Sequence, residues 1–330
     1  LKQKITADTT IEAMYSPRMS PIVRSTTALL FAVVFATAPT ITHAALLVYE
    51  GFQGYGANGT TLSGKNPNAN TIGLDKNEGW GGNAGLTTFA IADGLTFGPL
   101  VTQGGSLQMA QGLVSANLDL TAYTGTLYGS HLVQITTRPA DGIQIRIGDF
   151  PDMTTNQRFL TEADSRIGTG GTDQASIGYN GAAVGRTGQV LPVGTYLLIS
   201  RFTNVGSILS TENPGIGTLW VLTQDQFTHM VNTSSNWELY LDSTATGTAS
   251  NAIYGRATTS AVTSGNYAFD SDSYVHFVQS GGAGYFDELR YGSTLVSVLP
   301  VPEPGRTLLA LGGLTLLAMR RRRTPLAVAA

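Results

Sequence analysis

Ile143-Gln144-Ile145-Arg146-Ile147 sets apolar and polar side chains in strict alternation over five residues. Successive side chains on a strand point to opposite faces, so this run has one dry face and one wet face. Working outward, Leu46–Tyr49, Leu132–Thr137, Thr195–Phe202, Thr218–Leu222, Tyr274–Gln279 and Tyr285–Tyr291 read the same way, separated by Gly, Asn, Asp and Pro clusters. Trp237, Leu239 and Leu241 alternate with Glu238, Tyr240 and Asp242 and also read as a strand. Only Asp225–Met230 suggests a short helix or turn. Segment 51–85 is rich in Gly and Asn and predicts a long, ordered surface excursion after the first strand.

Composition points the same way. Charged residues make up 12% of the 330 residues, against roughly 25% in an average soluble chain, and glycine numbers 40. Many short strands and tight turns suit such a chain better than helices with charged faces. Between Ala45 and Pro300 there are ten Lys or Arg against nineteen Asp or Glu. An acidic body of this kind excludes a nucleic-acid partner, because binding phosphates needs clustered cations. The absence of cysteine excludes disulfides, thiol catalysis and thiolate metal sites.

The two ends read as addresses. From Met19, Arg24 supplies a positive start, Leu29–Ala38 a short apolar stretch, and Thr42-His43-Ala44 the small residues that a signal peptidase reads. This makes 19–44 a signal peptide cut before Ala45, with residues 1–18 as an extension or mis-set start. The other end carries Pro302-Glu303-Pro304, an apolar run from Leu308 to Met319, and Arg320, Arg321, Arg322 and Arg323. The prolines keep the backbone around Glu303 extended. The apolar run is about a dozen residues, short for a full span, and the arginines favour the cytoplasmic side.

This tail resembles the PEP-CTERM sorting signal of Gram-negative bacteria that make exopolysaccharide. The resemblance implies an exosortase as partner, a transient hold at the inner membrane, and delivery to the cell envelope or extracellular matrix. Two further stretches, Leu47–Phe52 with Gly79–Gly82 and Gly284–Gly292, resemble the first and last strands of the body of large proteins of that family. Gly194–Arg201 and Gly217–Val221 resemble its middle strands. The resemblance implies an all-β body over 45–300, a two-sheet antiparallel jelly-roll sandwich of the laminin-G/concanavalin A-like type, followed by a sorting tail over 301–330.

Candidate chemistry is sparse. Glycosidases of such folds need two carboxyls facing one sugar bond. Glu162-Ala163-Asp164 supplies only half of a Glu-x-Asp-x-x-Glu string, with Arg166 and Ile167 following. Asp287 and Glu288 are strand neighbours expected to face opposite ways, as a solvated or salt-bridged strand end. Asp270-Ser271-Asp272 offers oxygens for calcium or, alternatively, an Asx turn, and Asp149 and Asp152 offer less. His131, His229 and His276 lack metal-ligand spacing, and Gly168–Thr172 lacks the lysine of a phosphate loop. Trp220 and Trp237 read as core, whereas Trp80, in a Gly-rich loop, is the candidate for stacking on a sugar. The expectation is a non-enzymatic surface or matrix protein without a cofactor, calcium aside. The alternatives are a lectin-like carbohydrate-binding module and, behind it, a polysaccharide hydrolase.

Overall fold

The computed structural model describes residues 45–82, 90–109, 112–137, 143–148, 157–163, 174–179, 183–279 and 283–301. In chain order these form β1 (Leu46–Glu50), β2 (Gly81–Gly82), β3 (Ala90–Asp93), β4 (Gly105–Met109), β5 (Gly112–Asn117) and β6 (Gly125–Thr137). β7 (Ile143–Gly148), β8 (Gln157–Ala163), β9 (Gln174–Tyr179), β10 (Ala183–Val190), β11 (Gly194–Val205) and β12 (Gly217–Leu222) follow. The chain then forms helices α1 (Gln224–Thr233) and α2 (Trp237–Ser243), strands β13 (Gly255–Thr258), β14 (Tyr274–Gln279) and β15 (Ala283–Gly292), and the short helix α3 (Leu295–Val298).

Among the described residues the strands make two sheets. One runs β13-β12-β11-β6-β15-β4-β3, with β1 beside β15; the other runs β10-β9-β8-β7-β14-β5-β2. The assigned strand pairings are antiparallel, including β11 on β6 and β14 on both β5 and β7. Early strands pass back and forth between the sheets, and the last two, β14 and β15, slot between them. This is a two-sheet jelly-roll sandwich.

The alternation seen in the sequence becomes the core. Ile143, Ile145 and Ile147 of β7 meet Leu127, Val133 and Ile135 of β6, Leu198 and Phe202 of β11, and Val275 and Phe277 of β14 in one buried cluster. The opposite faces of β6, β11 and β12 are also covered. Leu132, Leu197, Ile199, Trp220 and Leu222 pack with Phe227 and Met230 of α1, Leu241 of α2, and Leu295 and Val298 of α3. Dry surfaces on both faces explain why β11 and β12 read as nearly continuous apolar runs rather than alternating ones.

The helices are held by specific bonds. Thr223 and Gln226 form a reciprocal capping box at the start of α1. Buried Gln226 then donates from Nε2 to Gly247 O at 2.9 Å and Ala249 O at 3.0 Å. Arg201 of β11 reaches Glu238 at 2.8 Å and Asp242 at 3.0 Å on α2. Its guanidinium also lies 5.0 Å from the centre of the Trp220 ring. Arg256 of β13 donates to Thr244 O at 2.8 Å and to Leu241 O, carbonyls at the C-terminal end of α2.

Two sequence expectations are corrected here. Trp237–Asp242 is not a strand but lies in α2: the Asn236 side chain accepts from Leu239 N at 3.0 Å as N-cap. Leu241 is buried, while Leu239 is 62% exposed. Segment 51–85 is ordered and largely exposed in its described part, bridged at Tyr49–Ile72 and Leu74–Leu118, and the correction is that it also sends side chains inward. Phe52, Tyr55, Leu62, Leu74 and Trp80 from this segment all join the central core. Among the described residues no helix is long and apolar enough to cross a membrane.

Candidate functional site

Trp80 does not face solvent. It is 1% exposed, with its ring 6.3 Å from Phe52 and 5.9 Å from Phe277, centre to centre. Its indole N–H donates to Tyr55 OH at 3.1 Å, and that hydroxyl donates to Glu50 Oε2 at 2.6 Å. Glu50 Oε1 accepts from Phe52 N at 2.5 Å, across a turn in which Phe52 has φ 51°. A glycine-rich loop thus folds inward, and its indole serves the core rather than a ligand. Burial, opposed in part by these bonds, pushes the Glu50 carboxyl up to about 7.

Asp287 and Glu288 are not a solvated strand end either. Both are 1% exposed and sit inside β15, at a bulge between Asp287 and Arg290 in its pairing with β6. Glu288 adopts φ 54°. The extra residue resets the pleat: Phe286 before it and Leu289 and Tyr291 after it all join the central core. Uninterrupted period-two alternation would instead have turned Glu288 and Arg290 inward.

The two acids bind the loops that pass over the bulge. Asp287 accepts from Leu95 N and from Glu288 N, each at 2.7 Å. Glu288 accepts from Gln103 N and Tyr49 OH and pairs with Arg290, whose guanidinium lies 4.4 Å from the Tyr49 ring centre. Arg290 also donates to Val101 O at 3.3 Å. Gly104, at φ +94°, has no room for a Cβ, which would strike Gly51 O and Gln53. Burial and the neighbouring Glu288 push Asp287 up to about 8. Glu288 is raised as well, chiefly by burial and against the pull of Arg290. The expected salt bridge is present, but both acids are committed to backbone donors and to each other's surroundings.

The remaining candidates resolve simply. Asp270 Oδ1 accepts from Asp272 N at 3.0 Å and Ser273 Oγ at 3.3 Å, the Asx turn that was the alternative to calcium. Among the described residues no group of three or more His, Asp or Glu side chains is placed to hold a metal ion. His131 and His276 are buried in different sheets, and burial lowers them to about 3 and about 4. Trp220 lies in the core as expected. The backbone of Glu162 pairs with Gln144 and Ser176. Asp149, Asp152, Asp164, Gly168–Thr172, the leader, and Pro302, Glu303, Pro304 and Arg320–Arg323 lie outside the described residues.

One cleft stands out, at a place the sequence had not suggested. It measures about 800 Å³ and lies between the α1–α2 turn and the start of α3. Its lining includes Val231, Trp237, Leu295 and Val301 as apolar residues, and Asn232, Ser235, Asn236 and Glu238 as polar ones. Trp237, read from sequence as core, is only half-buried, and its indole N–H donates to Ser234 O at 3.1 Å. The signal that could have found it is the run Asn232-Thr233-Ser234-Ser235-Asn236 directly before a tryptophan, a break between two capped helices rather than a turn between strands.

No family model matches the chain, and no curated protein matches it. Solved structures do. Lectin I-B4 from Griffonia simplicifolia in its metal-free form is 14% identical, over 60% of this chain and 92% of its own, with TM-score 0.32. Carbohydrate-binding module CBM66 from Bacillus subtilis is 11% identical over 65% and 95%, with TM-score 0.31. The CBM2 module of the Lactobacillus casei BL23 phage J-1 evolved Dit is 13% identical over 75% and 97%, with TM-score 0.28. Likeness at this level bears on neither ligand nor activity.

Proposed function

We propose that this is an exported, non-enzymatic surface or extracellular-matrix protein, sorted through its C-terminal tail by an exosortase and associated with exopolysaccharide. The observation that carries the reading is the order of the chain's parts. A leader-like segment precedes the sandwich, and its last core residues, Val298 and Leu299, come just before Pro302-Glu303-Pro304, the apolar run and the arginine cluster. The motif thus follows the last core residues in sequence, and its two prolines disfavour regular helix or sheet, which suits cleavage by a membrane protease. Four arginines resist translocation and would hold the chain at the inner membrane until it is cut.

The non-enzymatic part is supported by the use made of the acids. Asp287 and Glu288 are spent on backbone N–H groups and on Arg290 inside a bulge. A second reading, a lectin-like carbohydrate-binding module, is favoured by the cleft beside Trp237. The sorting claim is tested by replacing Pro302, Glu303 and Pro304 together with alanine. The variant is expected to remain membrane-bound, whereas the parent is released to the envelope or medium. Equal release of both would remove the motif from the account.

A further inference from the structure

We infer that the cleft between α1, α2 and α3 is a binding subsite for a neutral sugar unit of a polysaccharide. The inference rests on the lectin-like reading and adds to it a position, a set of residues and a charge preference. A volume of about 800 Å³ lies within the roughly 300–1,000 Å³ of ordinary small-ligand clefts. Its chemistry is divided as a sugar's is. The half-buried Trp237 indole, with Val231, Leu295 and Val301, offers apolar surface for the C–H face of a pyranose ring. Around it stand side-chain amides and hydroxyls that can donate and accept toward ring substituents.

Several of these polar groups are already used, and the pattern narrows the contacts. Thr233 Oγ1 donates to His229 O at 2.8 Å, and Ser234 Oγ donates to Asn236 O at 2.9 Å. The Asn236 carbonyl oxygen caps α2, which leaves its NH2 group as a donor. Asn232 and Ser235 are exposed on the lip of the cleft and make no side-chain hydrogen bond within the described residues. Asn232, Ser235 and the Asn236 amide are therefore the groups with capacity to spare.

Charge decides the class of sugar. Among the described residues of the lining Glu238 alone is ionisable, and its Oε1 is already held by Arg201 at 2.8 Å and by Tyr128 OH at 2.7 Å. Among the described residues no cation lines the cleft to receive a carboxylate or sulfate, and the body from Ala45 to Pro300 is acidic. A uronate or sulfated unit would meet a negative field without a partner. A neutral hexose would meet none of that cost.

The test uses the chain as exported, titrated with short neutral gluco-, manno- and galacto-oligosaccharides and with an oligogalacturonate as anionic control. Tryptophan fluorescence is a specific reporter, because Trp80 and Trp220 are buried and Trp237 alone of the three lines the cleft. At least one neutral series is expected to bind and to shift that emission. Trp237→Ala should weaken binding roughly tenfold or more, about 1.4 kcal/mol at that factor. The exposed pair Asn232→Ala with Ser235→Ala should weaken it with an unchanged melting temperature, which guards against a folding defect in the first variant. Binding that ignores all three substitutions would overturn the cleft and leave the lectin-like reading standing. No binding of any neutral series would overturn both, and oligogalacturonate binding through Trp237 would overturn the charge argument.

Discussion

At the scale of single residues, the chain spends its most reactive-looking side chains on architecture. Trp80, Tyr55 and Glu50 form a buried relay, so Trp80→Ala should cost about 3–5 kcal/mol. Trp237→Ala, at a half-buried site, should cost much less, and denaturant midpoints of the two variants check the difference. Asp287 and Glu50, raised to about 8 and about 7, hold protons in the fold that the unfolded chain releases near pH 4. The folded state binds more protons across that interval, so these groups make stability fall as pH rises through it. His131 and His276, lowered to about 3 and about 4, act in the opposite sense below 6.5, their ordinary value. The two effects oppose each other in mild acid, and above 6.5 the carboxyls act alone. The melting temperature should therefore drop between neutrality and mild alkali, and Asp287→Asn should flatten that drop while lowering stability near neutrality. Asp287→Asn and Glu288→Gln should leave any polysaccharide phenotype unchanged apart from stability. Activity on a polysaccharide that one of them abolishes would make this cluster catalytic.

At the scale of elements, what could be read from the sequence depended on whether a local pattern had a single physical cause. Ile143–Ile147 was readable because its polar and apolar side chains alternate strictly and the three isoleucines face the central core, although Gln144 between them is also buried. Tyr274–Gln279 was readable to its ends because Val275 and Phe277 mark its core face between turn-forming residues. Trp237, Leu239 and Leu241 misled because the spacing of Trp237 and Leu241 fits one face of a helix as well as one face of a strand. In the helix, Trp237 and Leu241 share a face at i and i+4, and Leu239 is turned outward. The strands β2 and β13, with two and four residues, were too short to leave a pattern. Neither the inward fold of Trp80 nor the bulge at Glu288 has a local signature, because both depend on strands far away in sequence. The bulge carries its own prediction. Glu288→Ala strands the Arg290 guanidinium in a buried site and should cost about 3–5 kcal/mol, measured by chemical denaturation. Asn236→Ala, which removes only the cap of α2, should cost about 0.5–2 kcal/mol.

At the scale of the whole molecule, the proposed function divides the work between the sandwich and the tail. The body places β14 and β15 last into the centres of two sheets, so the fold is complete only when the chain has passed Gly292 and α3 has packed. Pro302-Glu303-Pro304, the proposed sorting motif, begins three residues after Leu299, the last buried residue of the second core cluster. The account therefore expects a chain that is held at the inner membrane, cut near Pro302-Glu303-Pro304, and delivered as an intact sandwich. The most direct measurement is the intact mass of the protein recovered from the envelope or medium. The predicted mass begins at Ala45 and ends near Pro304. A mass that still includes Arg320–Arg323 would contradict the sorting account and make the tail a simple membrane anchor.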